Sequence, residues 1–424
     1  MKKLCVLLAV LMLISCFAGC TPAENPDSNE STQSSGSDQQ PESTGASSTD
    51  SQESTGTSST DSQESTGSSD EDVTDDDIPE GVLAISGKGV NVRQLAVDYM
   101  LKMANLKWTA GTTIDYSGHS PSLVYEEGKT YVGMVYNNNQ TGLEKFCSFL
   151  DSDNVNTSKD TDWSTSVGNS CSTSIRHAWQ LISPSVNYVT CINMIPGYQD
   201  TGVVAVGDID WSAYKGDDTN KVLKSHDRKV IMEAYAQAHA GDALVRFLPS
   251  GGHALMITKE PEVHRNSDGS VNIIKSCLYL TDQNSRIHNR REYPSSWEVD
   301  RRVSFSEAYQ EGYLPVTCAE LVSGVAPNAT FELANEPTAE ELAQGFLLCT
   351  VTSNYCMNVV KLEILSGEEV VATASAYPYA RSLECYKLGE DAGLKDLAAG
   401  NYTLKLTAEV GIGSITLANV TFSK

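Results

Sequence analysis

Apolar residues thin out after the first twenty positions and return only near residue 80, so the chain divides itself before any element is assigned. From there Leu95, Tyr99, Met100, Met103 and Leu106 recur at three- and four-residue spacing, which predicts a helix over 90–106. A second amphipathic run surrounds LEKFCSFL. Polar sequence then leads to Gly168 and to a helix opening at Cys171, with a stripe of Ile175, Ala178, Trp179 and Ile182 that Pro184 ends. Beyond it the period changes. VNYVTCINMI predicts a strand over 186–195 and RKVIMEAYAQAHA a helix over 228–240. GDALVRFLPSGGHALMITKE reads as a hairpin turning through Pro-Ser-Gly-Gly, and VNIIKSCLYLTDQN as a further strand ending in polar residues. Helices followed by an antiparallel sheet make an α+β layout around one core.

From about residue 326 the pattern shortens again. FELANE, FLLCTVTS, VVKLEILS, EEVVATASA, YTLKLTAEV and ITLANVTF are short runs between Gly, Asn and Pro, with Tyr402, Leu404, Leu406 and Ala408 facing one way and Thr403, Lys405 and Thr407 the other. Regularly spaced strands predict an all-β, immunoglobulin-like sandwich. AAGNYTLKL also resembles the penultimate strand of bacterial immunoglobulin-like modules. The expected organisation is therefore an α+β domain over 80–324 and a β-sandwich over 325–424.

Charge changes the picture mainly at the front. The formal net charge is −25, and sixteen Asp and Glu lie between residues 21 and 80 with no Lys or Arg among them. ESTGASSTDSQ at 42–52 repeats as ESTGTSSTDSQ at 53–63, but the units have no apolar face to stack. The 20–79 segment is expected to be a disordered, self-repelling tether. The remainder is mildly acidic, which argues against nucleic acid as a partner. Ahead of the tether, MKKLCVLLAVLMLISCFAGCTP has the two lysines, apolar run and small residues of an export signal. Phe17-Ala18-Gly19-Cys20 resembles the lipobox of bacterial lipoproteins. That resemblance implies removal of residues 1–19, lipidation of Cys20 and anchoring on the outer face of a bacterial cell membrane; a monomer is expected.

Eight cysteines follow the signal, scattered and mostly inside apolar runs where a thiol packs as a small hydrophobe. Cys171 differs. Asn169 or Ser170 supplies an N-cap, so the thiol sits in a first helical turn, where exposed N–H groups and the helix dipole favour a thiolate. A nucleophilic cysteine also needs an imidazole. His177 lies on the same helix, too far round to reach the thiol. His226 and His239 lie on or beside a helix, and His119, His264 and His288 lie in polar loops. His253 follows Gly251-Gly252 and enters the strand ALMIT, which holds a base on a rigid element with backbone room for substrate at Gly252. The next strand ends in Asp282, Gln283 and Asn284; by alternation Asp282 and Asn284 share a face, and either would orient the ring.

This order resembles the CHAP and NlpC-type cysteine peptidases over about 90–315: a cysteine opening a helix, Gly241-Asp242 before a strand, Gly-His opening the next, then acid-Gln-Asn. The resemblance implies a minimal papain-like fold, Cys171 as nucleophile, His253 as general base and Asp282 or Asn284 as third member. TYVGMVYN resembles the segment that lines the cleft in NlpC-type relatives, which puts Tyr136 at the substrate. Those relatives usually read Asp-Cys-Ser-Gly where this chain has Ser170-Cys171-Ser172-Thr173. The implied activity is cleavage of amide or peptide bonds, in peptidoglycan stems or another peptide, without a metal or other cofactor. The alternative is a surface binding or adhesion protein whose papain-like core has lost activity.

Overall fold

Buried apolar side chains fall into two clusters that meet between Ala326 and Ala329. The structure, a computed structural model, describes residues 78–188, 190–216 and 218–424. The export signal, Cys20 and all but the end of the 20–79 tether lie outside the described residues. Among the described residues no helix is long and apolar enough to cross a membrane.

The first core is built on a six-stranded antiparallel sheet. Its spatial order is Tyr293–Ser304, Cys277–Arg290, Gly251–Glu262, Ala243–Leu248, Leu314–Cys318 and Val203–Ala205. Helices Val92–Asn105 and Cys171–Gln180 pack on it and on each other. The first of these begins where Asn91 accepts from the Gln94 amide at 3.1 Å, and it buries Tyr99, Met100 and Met103 as the spacing requires. Gly251 pairs with Leu248, so both glycines belong to the strand and the hairpin turns on Pro249 and Ser250 alone. The following strand starts later and runs longer than its apolar pattern, from Cys277 to Arg290.

One element differs in kind. The described residues of 186–195 form no strand; they include the 3-10 turn Cys191–Met194. The Thr190 amide donates to Asn193 Oδ1 at 3.1 Å, starting that turn, while Tyr188, Cys191 and Met194 are buried at a spacing of three. A run this apolar is consistent with either a buried strand or a buried turn, and the side-chain cap decides between them.

The C-terminal region is β-rich. One four-stranded sheet holds Leu83–Ile85, Ala329–Ala334, Thr350–Met357 and Ala380–Glu384; the other holds Glu369–Ala376, Val359–Ser366, Asn401–Val410 and Gly413–Ser423. Leu404, Leu406 and Ala408 are buried against Val360, Leu362 and Ile364, as their alternation predicts. The strand Leu83–Ile85, which precedes the first helix, pairs with Ala329–Ala334 and so belongs to the far core. The two cores are pinned together: Tyr355 Oη lies 2.9 Å from the Pro327 carbonyl and 3.2 Å from the Ile182 carbonyl, its one proton shared between them. The whole is α+β.

Candidate functional site

The approach to Cys171 is fixed by backbone pairing. Asn137 N donates to the Asn169 carbonyl at 2.9 Å, and Asn169 N to the Val135 carbonyl at 3.1 Å. Behind that pair, Gln283 Nε2 and Trp297 Nε1 each donate to the Met134 carbonyl at 2.9 Å. Gly133 has φ +86° and lies so close to the Trp297 ring that a Cβ would come within 2.3 Å of it. The helix then starts at Ser170, whose amide donates to Thr173 Oγ1 at 2.8 Å while its carbonyl accepts from the Ser174 amide at 2.9 Å. Ser170 and Thr173 thus form the N-cap, a device that contributes about 1 kcal/mol. Cys171 is the first helical residue and is 1% exposed.

His253 Nε2 and Asp282 Oδ2 are 2.9 Å apart, with side chains 17% and 5% exposed. Asp282 Oδ1 is buried without a hydrogen-bond partner. Asn284 instead accepts from the Arg286 amide at 3.1 Å, a local turn contact. Gln283 Oε1 lies 3.3 Å from Ser174 Oγ, a contact that ties this strand to the cysteine helix. The Cys171 and Cys191 sulfurs are 3.9 Å apart, and a Cβ on Gly252 would come within 2.7 Å of Cys191 Cβ. Contacts therefore run Cys171, Cys191, Gly252, and the residue after Gly252 is His253. Gly241 turns at φ +97° into Asp242, whose buried carboxylate accepts from Arg93 at 3.0 Å, Thr317 at 2.5 Å and the His239 amide at 2.8 Å. That turn is a structural staple.

Comparison of the chain with family models, with curated proteins and with solved structures finds no match.

The His253–Asp282 pair has the form of an oriented imidazole base. Bonding of Nε2 to a carboxylate fixes the imidazole tautomer and makes Nδ1 the proton acceptor. A thiol at a helix N-terminus is biased toward thiolate. His177 is buried on the same helix, with Nε2 2.9 Å from the Gln140 carbonyl, and burial holds its pKa down to about 3. Tyr136 is 3% exposed; beside it Trp163, half-buried, stacks on His119 at 4.2 Å and presents the more open aromatic surface. Three residues in contact with the cysteine helix were not legible as such. Cys191 lies inside an apolar run, Tyr188 in what reads as a strand, and Gln283 on the wrong side of a simple alternation. Tyr188 Oη is buried without a hydrogen-bond partner, and burial pushes its pKa well up. Only the 3-10 turn brings Tyr188 and Cys191 to the helix, and a sequence sign of it exists in the Thr190–Asn193 cap. Among the described residues no group of three His, Cys, Asp or Glu side chains is placed to hold a metal.

Proposed function

We propose that the protein is a cysteine hydrolase of amide or peptide bonds on a papain-like core, exported and lipid-anchored at Cys20, with an immunoglobulin-like sandwich behind it. Peptidoglycan stem peptides are the substrate class that best suits a tethered surface enzyme. The observation that carries this reading is the 2.9 Å pairing of His253 with Asp282 on the strands beside the Cys171 helix. Cys171 Sγ gives its proton to His253 Nδ1 and attacks the carbonyl carbon. The oxyanion forms at the positive end of the helix, near the Cys171 amide. The imidazolium, stabilised by Asp282, returns the proton to the leaving amine as the C–N bond breaks, and water then releases the acyl group from sulfur by the same path in reverse. The helix-starting role of Ser170 and Thr173 supports this reading over the inactive one, because their departure from Asp and Gly has a local use.

The decisive test pairs labelling with digestion. Iodoacetamide near pH 6.5 should label Cys171 ahead of Cys147, Cys277, Cys318 and Cys356, whose thiol pKa values are raised, by packing around the sulfur and, at Cys147, also by the nearby Glu144 carboxylate. Purified cell walls should lose peptides to the wild-type protein and not to Cys171→Ala. If Cys171 labels no faster than those four and Cys171→Ala digests walls normally, the enzymatic reading fails.

A further inference from the structure

The face of the cysteine helix away from its start holds a second feature. A cavity of about 550 Å³ lies where Arg176 and Gln180 meet Cys356 and the 377–381 segment of the C-terminal region. Its charged lining is Lys145, Arg176 and Arg381, and no carboxylate lines it. Arg176 is 9% exposed. Its Nη1 donates to Gln140 Oε1 at 2.7 Å and to the Tyr188 carbonyl at 2.9 Å, both neutral acceptors, and its Nε is buried with no partner. Burial disfavours its charge, and the groups that offset this are Tyr188 and Cys356. Glu144 stands behind the wall, not in it: its carboxylate accepts from Tyr99 Oη at 2.8 Å and Tyr379 Oη at 3.0 Å.

A guanidinium buried without a counter-charge is costly, and removal of a partner from such a charge typically leaves a penalty of several kcal/mol. Three cations around one roomy, polar cavity in an acidic chain call for an anion supplied from outside. Guanidinium groups match the two oxygens of a carboxylate or phosphate, while Asn139 and Asn187 offer amides for the rest of a polar ligand. The volume is that of a small-molecule site. We propose that this cavity binds a small organic acid through its carboxylate or phosphate oxygens. It is a site separate from the Cys171 chemistry and does not rest on it.

The test uses the full-length purified protein, with citrate and inorganic phosphate as probes and chloride at matched ionic strength as blank. Calorimetry should show saturable one-to-one binding, and the tighter probe tells carboxylate from phosphate. Lys145→Gln and Arg381→Gln, each removing a partly or fully exposed cation, should weaken it by about tenfold apiece. Cys356 gives a local readout that needs no variant: the bound acid should slow its alkylation at pH 8.5 and leave exposed Cys147 unchanged. The proposal is overturned if neither probe saturates, if the double variant binds as well as wild type, or if Cys356 gains no protection. Wall digestion is no part of these readouts, so they fail or succeed independently of the proposed hydrolase.

Discussion

Between Ala329 and Phe422 the buried side chains are apolar or thiol, with Asn358 the one buried polar residue among those described, whereas the Cys171–Gln180 helix buries Ser172, Thr173, Ser174, Arg176, His177 and Gln180. Buried polar groups cost stability unless bonded, and on this helix several are bonded, with Arg176 Nε the exception among them. Ser174 Oγ donates to the Ser170 carbonyl at 2.8 Å, Gln180 to the Val186 carbonyl at 3.1 Å, and His177 lies 2.9 Å from the Gln140 carbonyl. Apolar packing tolerates small rotations of an element, and directional bonds do not. The C-terminal core is built for cohesion. The cysteine helix is built for aim, and its polar residues fix the roll angle at which Cys171 meets its neighbours.

The comparison breaks most visibly if each core is damaged in turn. His253→Ala should lower kcat/KM for wall peptides by about 10²–10⁴ per folded molecule, the usual worth of a general base, with a drop in melting temperature that reflects the unpaired Asp282 carboxylate and that Asp282→Asn in the same background relieves. Leu404→Ala, in the apolar core, should act on stability alone. It should cost about 2–5 kcal/mol in urea unfolding while turnover per folded molecule stays within twofold. Were Leu404→Ala to reduce turnover as much as His253→Ala, aim and cohesion would not be separable here.

Acid sharpens the contrast further. The pKa of His177 lies near 3 in the folded protein because burial disfavours the imidazolium and Arg176 stands beside it. Its unfolded value is about 6.5, so between those values the unfolded chain binds the extra proton. Stability attributable to His177 is intact above pH 7 and falls as pH drops through that window, by about 3 kcal/mol at pH 4. Urea unfolding of His177→Gln against wild type should show that loss removed, with the two curves differing most at pH 4. Equal pH slopes in both proteins would mean that His177 is protonated where it sits.

How much of this was visible in the chain depended on how local the cause was. The first helix, the hairpin with His253 and the strands of the C-terminal region follow from period and turn chemistry within one segment. Asp282 and His253 were also within reach, because adjacent strands and alternation place them together. Tyr188 and Cys191 were not, because a side-chain cap at Thr190 converts an apolar run into a turn and swings both toward the helix. The Arg176 cavity was beyond reading altogether: its walls come from positions 139 to 381, on two cores whose contact no local pattern encodes.

The smallest expected effect tests the site most closely. Cys171 and Cys191 are buried thiols 3.9 Å apart, so alkylation of the region does not by itself say which sulfur reacts. Cys171 lies at the start of a ten-residue helix, whereas Cys191 opens only a four-residue 3-10 turn and packs its Cβ on Gly252. A short turn has little dipole to favour a thiolate, so Cys191 should act as a small apolar spacer. Cys191→Ala then keeps kcat/KM within about threefold and leaves the iodoacetamide site on Cys171, since it removes one sulfur and opens little space. Cys191→Ser should be the more harmful of the two, because a hydroxyl placed there requires a hydrogen-bond partner that a thiol does not. If instead Cys191→Ala abolishes digestion and Cys171→Ala spares it, the nucleophile is on the turn and the helix only supports it.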